Sequence, residues 1–441
     1  MVWSQMARIS KPSIAALLII GVLLLTAGTA LAAEETPGGN NPLGLQVKSA
    51  FLMDAETGQV LYDMNSEEAL PPASMSKMMT EYIVMEEIAD GNLSWDEVIT
   101  VQHNAATTTR QGSHVFLAQG DQHTVEELFI AMAVGSANDA SIALAEHIEG
   151  SEEAFARRMN ETAEELGLET AHFINATGLN REDMSPEYQP QSIGGETIMS
   201  AKDAAMLAYY ILDTHDEFLT YSSIPSYKFR ERDKDPMINY NWMLEGNKDV
   251  PAFEPYVYEG LDGMKTGHTS AAKYCFTGTA ERDGMRLISV VMGAQSEPQR
   301  FLQTAKLLDY GFTNFETKTV VAAKSTLETL ETVPVSKGVQ TEVPIVTESG
   351  VSFLVEKEIE PQIELLESTV QSADELVAPI ATGTVVGQAT YQYTDSSGAT
   401  LERTVNLVTS EEVKKGSWWR LMFRAIGDFF SGLFNGIVDL F

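Results

Sequence analysis

The sequence predicts an α+β domain, a sheet covered by helices, followed by a small all-β domain and a C-terminal amphipathic helix. Three observations carry that reading. Alternating, β-prone segments stand at both ends of a stretch whose middle has helical periodicity. Near Asn314 the texture changes to short β-branched segments separated by turn signals. From Ser417 onward the polar residues fall on one helix face.

Taken in order, the chain opens on Arg8 and Lys11, a 12-residue uncharged run from Ile14 to Leu25, and the small residues of Ala30-Leu31-Ala32. The run is too short to span a bilayer comfortably and is followed by a peptidase-type site. Residues 1–32 are therefore expected to be an export signal cleaved after Ala32. Residues 33–44 read as a Glu/Pro/Gly/Asn linker. Ser49 to Met53 and Gln59 to Met64, joined by Ala55-Glu56-Thr57-Gly58, read as a hairpin. Pro71-Pro72 ends extended structure. Met75, Met78, Met79, Tyr82, Ile83 and Ile88 then recur at helical spacing. Further helices are expected at about 125–134, 139–149 and 152–166, and from Ala201 to Leu212 behind the cap pattern of Ser200 and Asp203. Tyr274 to Ala280 and Met285 to Met292 read as strands, and Pro298 to Leu308 as a closing helix. A sheet that must bury its faces takes helices as its cover, so 45–314 is read as one mixed domain.

Residues 315–413 read as an all-β domain, with its clearest turns at Glu348-Ser349-Gly350 and Asp395-Ser396-Ser397-Gly398. It holds no cluster of catalytic residue types, which points to a spacer or partner-binding role. In 414–441 the polar positions are Ser417, Arg420, Arg424, Asp428, Ser431, Asn435 and Asp439, and Trp, Phe, Leu and Ile fill most of the rest. A spanning helix would have to bury those charges. A helix lying in the interface keeps them in water, and Lys414, Lys415, Arg420 and Arg424 meet anionic headgroups. The expected place of the protein is thus the outer face of a bacterial cytoplasmic membrane, held at the membrane surface by 414–441.

The charge excludes one class of partner. Lys and Arg total 29 against 63 Asp and Glu, a net charge of −34, and such a field repels nucleic acid. The single cysteine, Cys275, permits no disulfide within the chain and reads as a small buried residue between Tyr274 and Phe276. With 7 histidines and no His-Glu-x-x-His pattern, neither a metal nor an organic cofactor is implied.

Three short motifs carry chemistry. In Ser74-Met75-Ser76-Lys77, positions i and i+3 share a helix face, so Ser74 and Lys77 can touch. A serine hydroxyl is a poor nucleophile without a base in hydrogen-bond reach, and a lysine can be that base once burial and nearby positive charge lower its pKa. Ser74 also stands at a helix start, where its backbone N–H is free to hold an oxyanion. Ser136-Ala137-Asn138, with Asp139 after it, lies between two helices. It offers either a proton relay with an amide contact or an ordinary helix cap. Lys265-Thr266-Gly267 opens a strand whose backbone can pair with a peptide, and its Gly leaves room for the approach.

Ser-x-x-Lys, Ser-x-Asn and Lys-Thr-Gly in this order resemble the serine β-lactamases and penicillin-binding proteins. The runs 72–80, 135–140, 262–269, 284–289 and 307–312 resemble in particular the low-molecular-mass D-alanyl-D-alanine carboxypeptidases, over about 45–440. The resemblance implies a β-lactamase/transpeptidase-like fold and a serine peptidase. That enzyme would remove the terminal D-Ala from peptidoglycan pentapeptide stems and be trapped covalently by β-lactams. It implies Ser74 as nucleophile, Lys77 as base, Ser136 as proton relay and Asn138 as a contact to substrate and lysine. Lys265, Thr266 and Gly267 would lie along the substrate, the first two at its carboxylate. The backbone of His268 would complete the oxyanion hole, and Arg300 would be the carboxylate-binding arginine. Two features depart from the pattern: Thr177 stands where some members have histidine, and 181–198 is a longer loop. The alternatives are a β-lactamase, with Glu169 as deacylating base, and a non-catalytic cell-wall binding protein.

Overall fold

The computed structural model describes residues 41–426 apart from Arg110, Glu328, Thr329 and Ser397. The expected export signal, most of the linker and the amphipathic segment beyond Ile426 lie outside the described residues.

The first domain opens on β1 (Ser49–Asp54) and β2 (Val60–Met64), paired antiparallel as the hairpin pattern predicts. The Asp54 carboxylate accepts the backbone N–H of Thr57 at 2.7 Å, a side-chain device that closes such turns. After Pro72 comes one 3₁₀ turn, Ala73–Ser76, and only then α1 (Lys77–Ala89). The helical segment continues through α2 (Val125–Gly135), α3 (Asn138–Glu149), α4 (Glu152–Glu165) and α5 (Ala201–Thr214). Three of these starts have a local cause. Thr124 and Glu127 form a capping box at α2, and Ser151 and Ser200 cap α4 and α5. Three strands then return to the sheet: β3 (Leu261–Thr269), β4 (Lys273–Arg282) and β5 (Met285–Ala294). The helix α6 (Glu297–Asn314) closes the domain. It runs past Leu308, the end expected from periodicity. Gly311 lets its backbone pass the sheet, since a Cβ there would lie 2.5 Å from Leu287.

The sheet order is β2-β1-β5-β4-β3, antiparallel throughout. Both faces of its central strands are buried. Phe51, Met53, Ile288 and Val290 face the large helical core, while Leu52, Leu287 and Val291 face Phe301, Leu307 and Leu308 of α6. That alternation sets the register, because a one-residue slip would exchange the two faces. It also leaves β3 at an edge, beside the Pro72–Lys77 segment.

Two glycines decide how close that segment comes. A Cβ on Gly267 would stand 2.3 Å from the Pro72 carbonyl oxygen, and one on Gly178 1.9 Å from that of Ala73. Gly178 has φ +79° and Ala73 itself φ +50°. The segment is clamped between strand and loop at a separation only glycine allows. The tight turn at 73–76 belongs to this clamp; the apolar spacing that predicts the helix carries no record of it.

The second domain contains β6 (Phe315–Val321), β7 (Thr332–Pro334), β8 (Glu342–Thr347), β9 (Val351–Glu356), β10 (Gln362–Val370), β11 (Val385–Thr394) and β12 (Thr400–Thr409). One sheet has the order β7-β8-β12-β11-β10, and β6 pairs with β9. Val333, Ile345, Phe353, Val386 and Leu407 fill its own core. Lys357 donates to the Phe312 carbonyl at 2.8 Å, and Arg403 donates to the Thr57 carbonyl in the β1–β2 turn. A helix covers 418–426 within the described residues. Its Arg420 and Arg424 donate to the carbonyls of Val339 and Gly338 at 3.4 and 3.2 Å, while Trp418, Trp419, Phe423 and Ile426 stand exposed. Among the described residues no helix is long and apolar enough to cross a membrane.

The clamp predicts a graded response to added methyl groups. Gly91 also has positive φ, but nothing lies within 4 Å of its Cβ position. Gly91→Ala should lose only the backbone term, about 1–2 kcal/mol. Gly178→Ala should lose a further ~1–3 kcal/mol from overlap. Denaturant unfolding of the two variants measures the difference, and equal losses would contradict the clamp.

Candidate active site

The clamped segment presents Ser74 at its turn, half-buried, and directs Lys77 inward. Lys77 is fully buried and its Nζ reaches three oxygens: Ser74 Oγ at 3.2 Å, Asn138 Oδ1 at 2.7 Å and the Thr177 carbonyl at 2.8 Å. Burial, and then the charge of Lys265, holds its pKa well below the usual lysine range; Glu81, Glu152 and Asp139 push the other way. Ser76, the other hydroxyl of the motif, turns away and donates to the Ala73 carbonyl at 2.8 Å.

The second motif forms the junction of α2 and α3. Ser136 ends α2 in the left-handed region, φ 53°, which swings its hydroxyl into the cleft. Asn138 is the first residue of α3, where the sequence suggests a loop position. Its side chain is not a cap. The carbonyl oxygen accepts from Lys77, and Nδ2 donates to the Gln111 carbonyl at 3.2 Å. Asp139 does not cap the helix in the usual way either: its carboxylate accepts the backbone N–H groups of Val115 and Leu117 at 3.2 and 3.0 Å. The α3 start therefore holds the lysine with one residue and the 111–117 segment with the next.

The third motif lies on edge strand β3. Lys265 is buried, and its Nζ donates to Ser136 Oγ at 2.8 Å. Burial lowers its pKa; the Glu81 charge opposes this and Arg300 adds to it. Thr266, Gly267 and His268 line the cleft together with Ser74 and Ser136, around a cavity of about 310 Å³. His268 lies against the Tyr274 ring at a centroid distance of 4.2 Å. Arg300, on α6, is 2% exposed, so it is no surface charge. It donates to Glu297 at 2.9 Å and to the Gly267 carbonyl at 3.4 Å. Burial pulls its pKa down to about 10, which leaves it cationic at neutral pH.

The structure thus brings all nine expected site residues to one cleft: Ser74, Lys77, Ser136, Asn138, Lys265, Thr266, Gly267, His268 and Arg300. It adds lining residues that no motif marks: Gly112, Ser113, Tyr240, Tyr274 and Glu297. Ser113 Oγ and Tyr240 Oη meet at 3.3 Å across a large sequence separation. The segment carrying Ser113 is pinned from the far side by Arg230, which donates to the Val115 carbonyl at 2.8 Å. Thr177 contributes its backbone, so exchange with histidine there leaves the contact to Lys77 available. The 181–198 loop wraps Arg181, which donates to the carbonyls of Pro190 and Ile193 at 2.8 and 2.6 Å. Glu169 lies elsewhere, in a concavity with Leu168, Ala171 and His172, and is not at Ser74.

Known proteins resemble both domains of the chain. The family model for D-alanyl-D-alanine carboxypeptidase matches residues 36–296, and the model for the penicillin-binding protein 5 C-terminal domain matches 315–415. The D-alanyl-D-alanine carboxypeptidase DacF of Bacillus subtilis is 33% identical over 93% of this chain and 97% of its own length. A crystal structure of the peptidoglycan synthesis regulatory factor PBP3 from Streptococcus pneumoniae superposes with TM-score 0.72 at 29% identity, covering 84% of this chain and all of that one. Penicillin-binding protein D2 of Listeria monocytogenes in its ampicillin-bound form has TM-score 0.51 and 31% identity, covering 62% of this chain and all of that one. With the catalytic-type residues gathered in one cleft and matches to both domains, the chain belongs to the D-alanyl-D-alanine carboxypeptidase family of serine peptidases.

Proposed function

We propose that Ser74 attacks the carbonyl of the penultimate D-alanine of a peptidoglycan pentapeptide stem, releases the terminal D-alanine and is then freed by water. One observation carries the assignment of nucleophile and base: a fully buried lysine amine stands 3.2 Å from Ser74 Oγ. A neutral amine has two N–H donors and one lone pair. With Asn138 Oδ1 and the Thr177 carbonyl taking the two donors, the lone pair is left for the Ser74 hydroxyl proton. Burial supplies the neutral form at a pH where an exposed lysine would be charged.

The remaining roles extend the same reading. Attack places negative charge on the former carbonyl oxygen, and the backbone N–H groups of Ser74 and His268 receive it. Ser136, bound to Lys265, passes its proton to the departing amine and is reprotonated by the proton that Lys77 took from Ser74, so Lys77 ends neutral. Lys265 and Thr266 hold the terminal carboxylate, and Arg300 strengthens the field from behind Gly267. The free edge of β3 pairs with the extended peptide. In a β-lactam the leaving nitrogen stays tethered after ring opening, so the same attack gives a lasting adduct on Ser74.

Export and a place at the outer membrane surface complete the reading. The sequence of residues 1–32 supports the first. The second is supported by helix 418–426, whose arginines turn to the protein while its Trp and Phe side chains stay exposed.

Mass spectrometry of the mature protein should find a benzylpenicillin adduct on Ser74 and release of one D-alanine from a Lys-D-Ala-D-Ala peptide; Ser74→Ala should show neither. Retained D-alanine release in that variant would end the proposal.

The acylation rate should rise with pH as Lys77 loses its proton, with its midpoint well below the ordinary lysine range. Lys77→Ala should slow acylation roughly 10²–10⁴-fold. A rate that falls across the same window would reverse the assignment of base.

Deleting residues 414–441 should move the protein from the membrane pellet to the supernatant. Unchanged sedimentation would remove the anchor.

A further inference from the structure

Glu81 is a charged group that none of the steps above uses. It lies four residues after Lys77 on α1, one turn along the same face. It is fully buried, and neither carboxylate oxygen has a hydrogen-bond partner among the described residues. An unpartnered carboxylate in such a place is costly, and buried polar groups are nearly always satisfied.

The neighbouring charges make the exception informative. Lys77 faces Glu81 from its own helix and Lys265 from β3. Three further charged groups complete the cluster: Asp139 of α3 and Glu152 of α4 act on Lys77, and Arg300 of α6 acts on Lys265. The others have partners. Asp139 accepts from Val115 and Leu117. Glu152 accepts from the Asn104 side chain and the Ala176 N–H. Arg300 is paired with Glu297. In this cluster Glu81 alone keeps a carboxylate with no hydrogen bond.

We infer that Glu81 is a positioning residue for the acylation step, a buried counter-charge that sets how readily Lys77 gives up its proton. The inference rests on Lys77 being the base. Burial and the Lys265 field push Lys77 toward the neutral form, and on their own they would leave it a weak base. Once ionised, Glu81 opposes them. Burial raises the pKa of Glu81 itself to about 7 while the two lysines draw it back, so the opposing charge is present from about neutral pH upward. A base works best when its pKa lies near the working pH, so a moderating charge one turn away favours both a free lone pair and a useful proton affinity.

The sign of the test follows. Removing an anion beside a cation lowers the cation's pKa, so the acid limb of the acylation profile moves to lower pH. The second-order rate of acylation by benzylpenicillin should be measured from acid to alkaline pH for the wild type, Glu81→Gln, Glu81→Leu and Glu81→Asp. Glu81→Gln and Glu81→Leu should shift the acid limb down by about one pH unit, with a lower plateau; Glu81→Asp, which keeps the charge, should stay near the wild type. Gln and Leu together guard against a variant that fails to fold. An unmoved limb in whichever of the two folds would overturn the inference, whatever its thermal stability. A wild type with no adduct at any pH would instead overturn the role of Lys77, and the inference with it.

Discussion

The burial of one lysine amine organises this active site. A lysine taken out of water is tolerated only if it is neutral or fully engaged. Lys77 meets that condition through oxygens from three distant parts of the chain: its own turn, the start of α3 and the loop at 177. Each supplier is held in turn. Asn138 is fixed by Gln111, and the loop at 177 by Gly178 against Ala73. Displacing Asn138 or the loop at 177 would leave a buried donor without an acceptor. Stability and the proposed chemistry draw on the same few contacts, since a lysine that is to act as base must be kept dry.

The second lysine divides the work. Lys265 is bound to Ser136 and Lys77 to Ser74, so each amine has its own hydroxyl. Their mutual repulsion lowers Lys77 further, and the carboxylates of Asp139, Glu152 and Glu81 limit how far. Lys265 and Arg300 stand together at one side of the cleft in a chain of net charge −34. In the proposed reading a substrate carboxylate would be drawn to that one place.

Much of this was legible in the amino-acid pattern. The hairpin at 49–64, the helices behind their Ser and Thr caps, and the three motifs follow from period, capping chemistry and order along the chain. What escaped depends on distance in space. Tyr240 meets Ser113 only because two loops converge, and nothing local marks either residue. Asn138 and Asp139 look like cap residues, yet their side chains serve the lysine and the 111–117 segment. The 3₁₀ turn at Ala73–Ser76 and the extension of α6 to Asn314 both follow from glycines at close contacts, and periodicity carries no information about those.

The glycine clamp has a thermodynamic corollary. Because β3 and the Ser74 turn are packed too closely at Gly267 for even a methyl group, neither can shift toward the other. In the proposed binding mode, ordering would then fall mostly on the ligand: a flexible peptide tail would surrender its torsional freedom to lie along β3, whereas a ring-locked mimic of the same shape would have little left to lose.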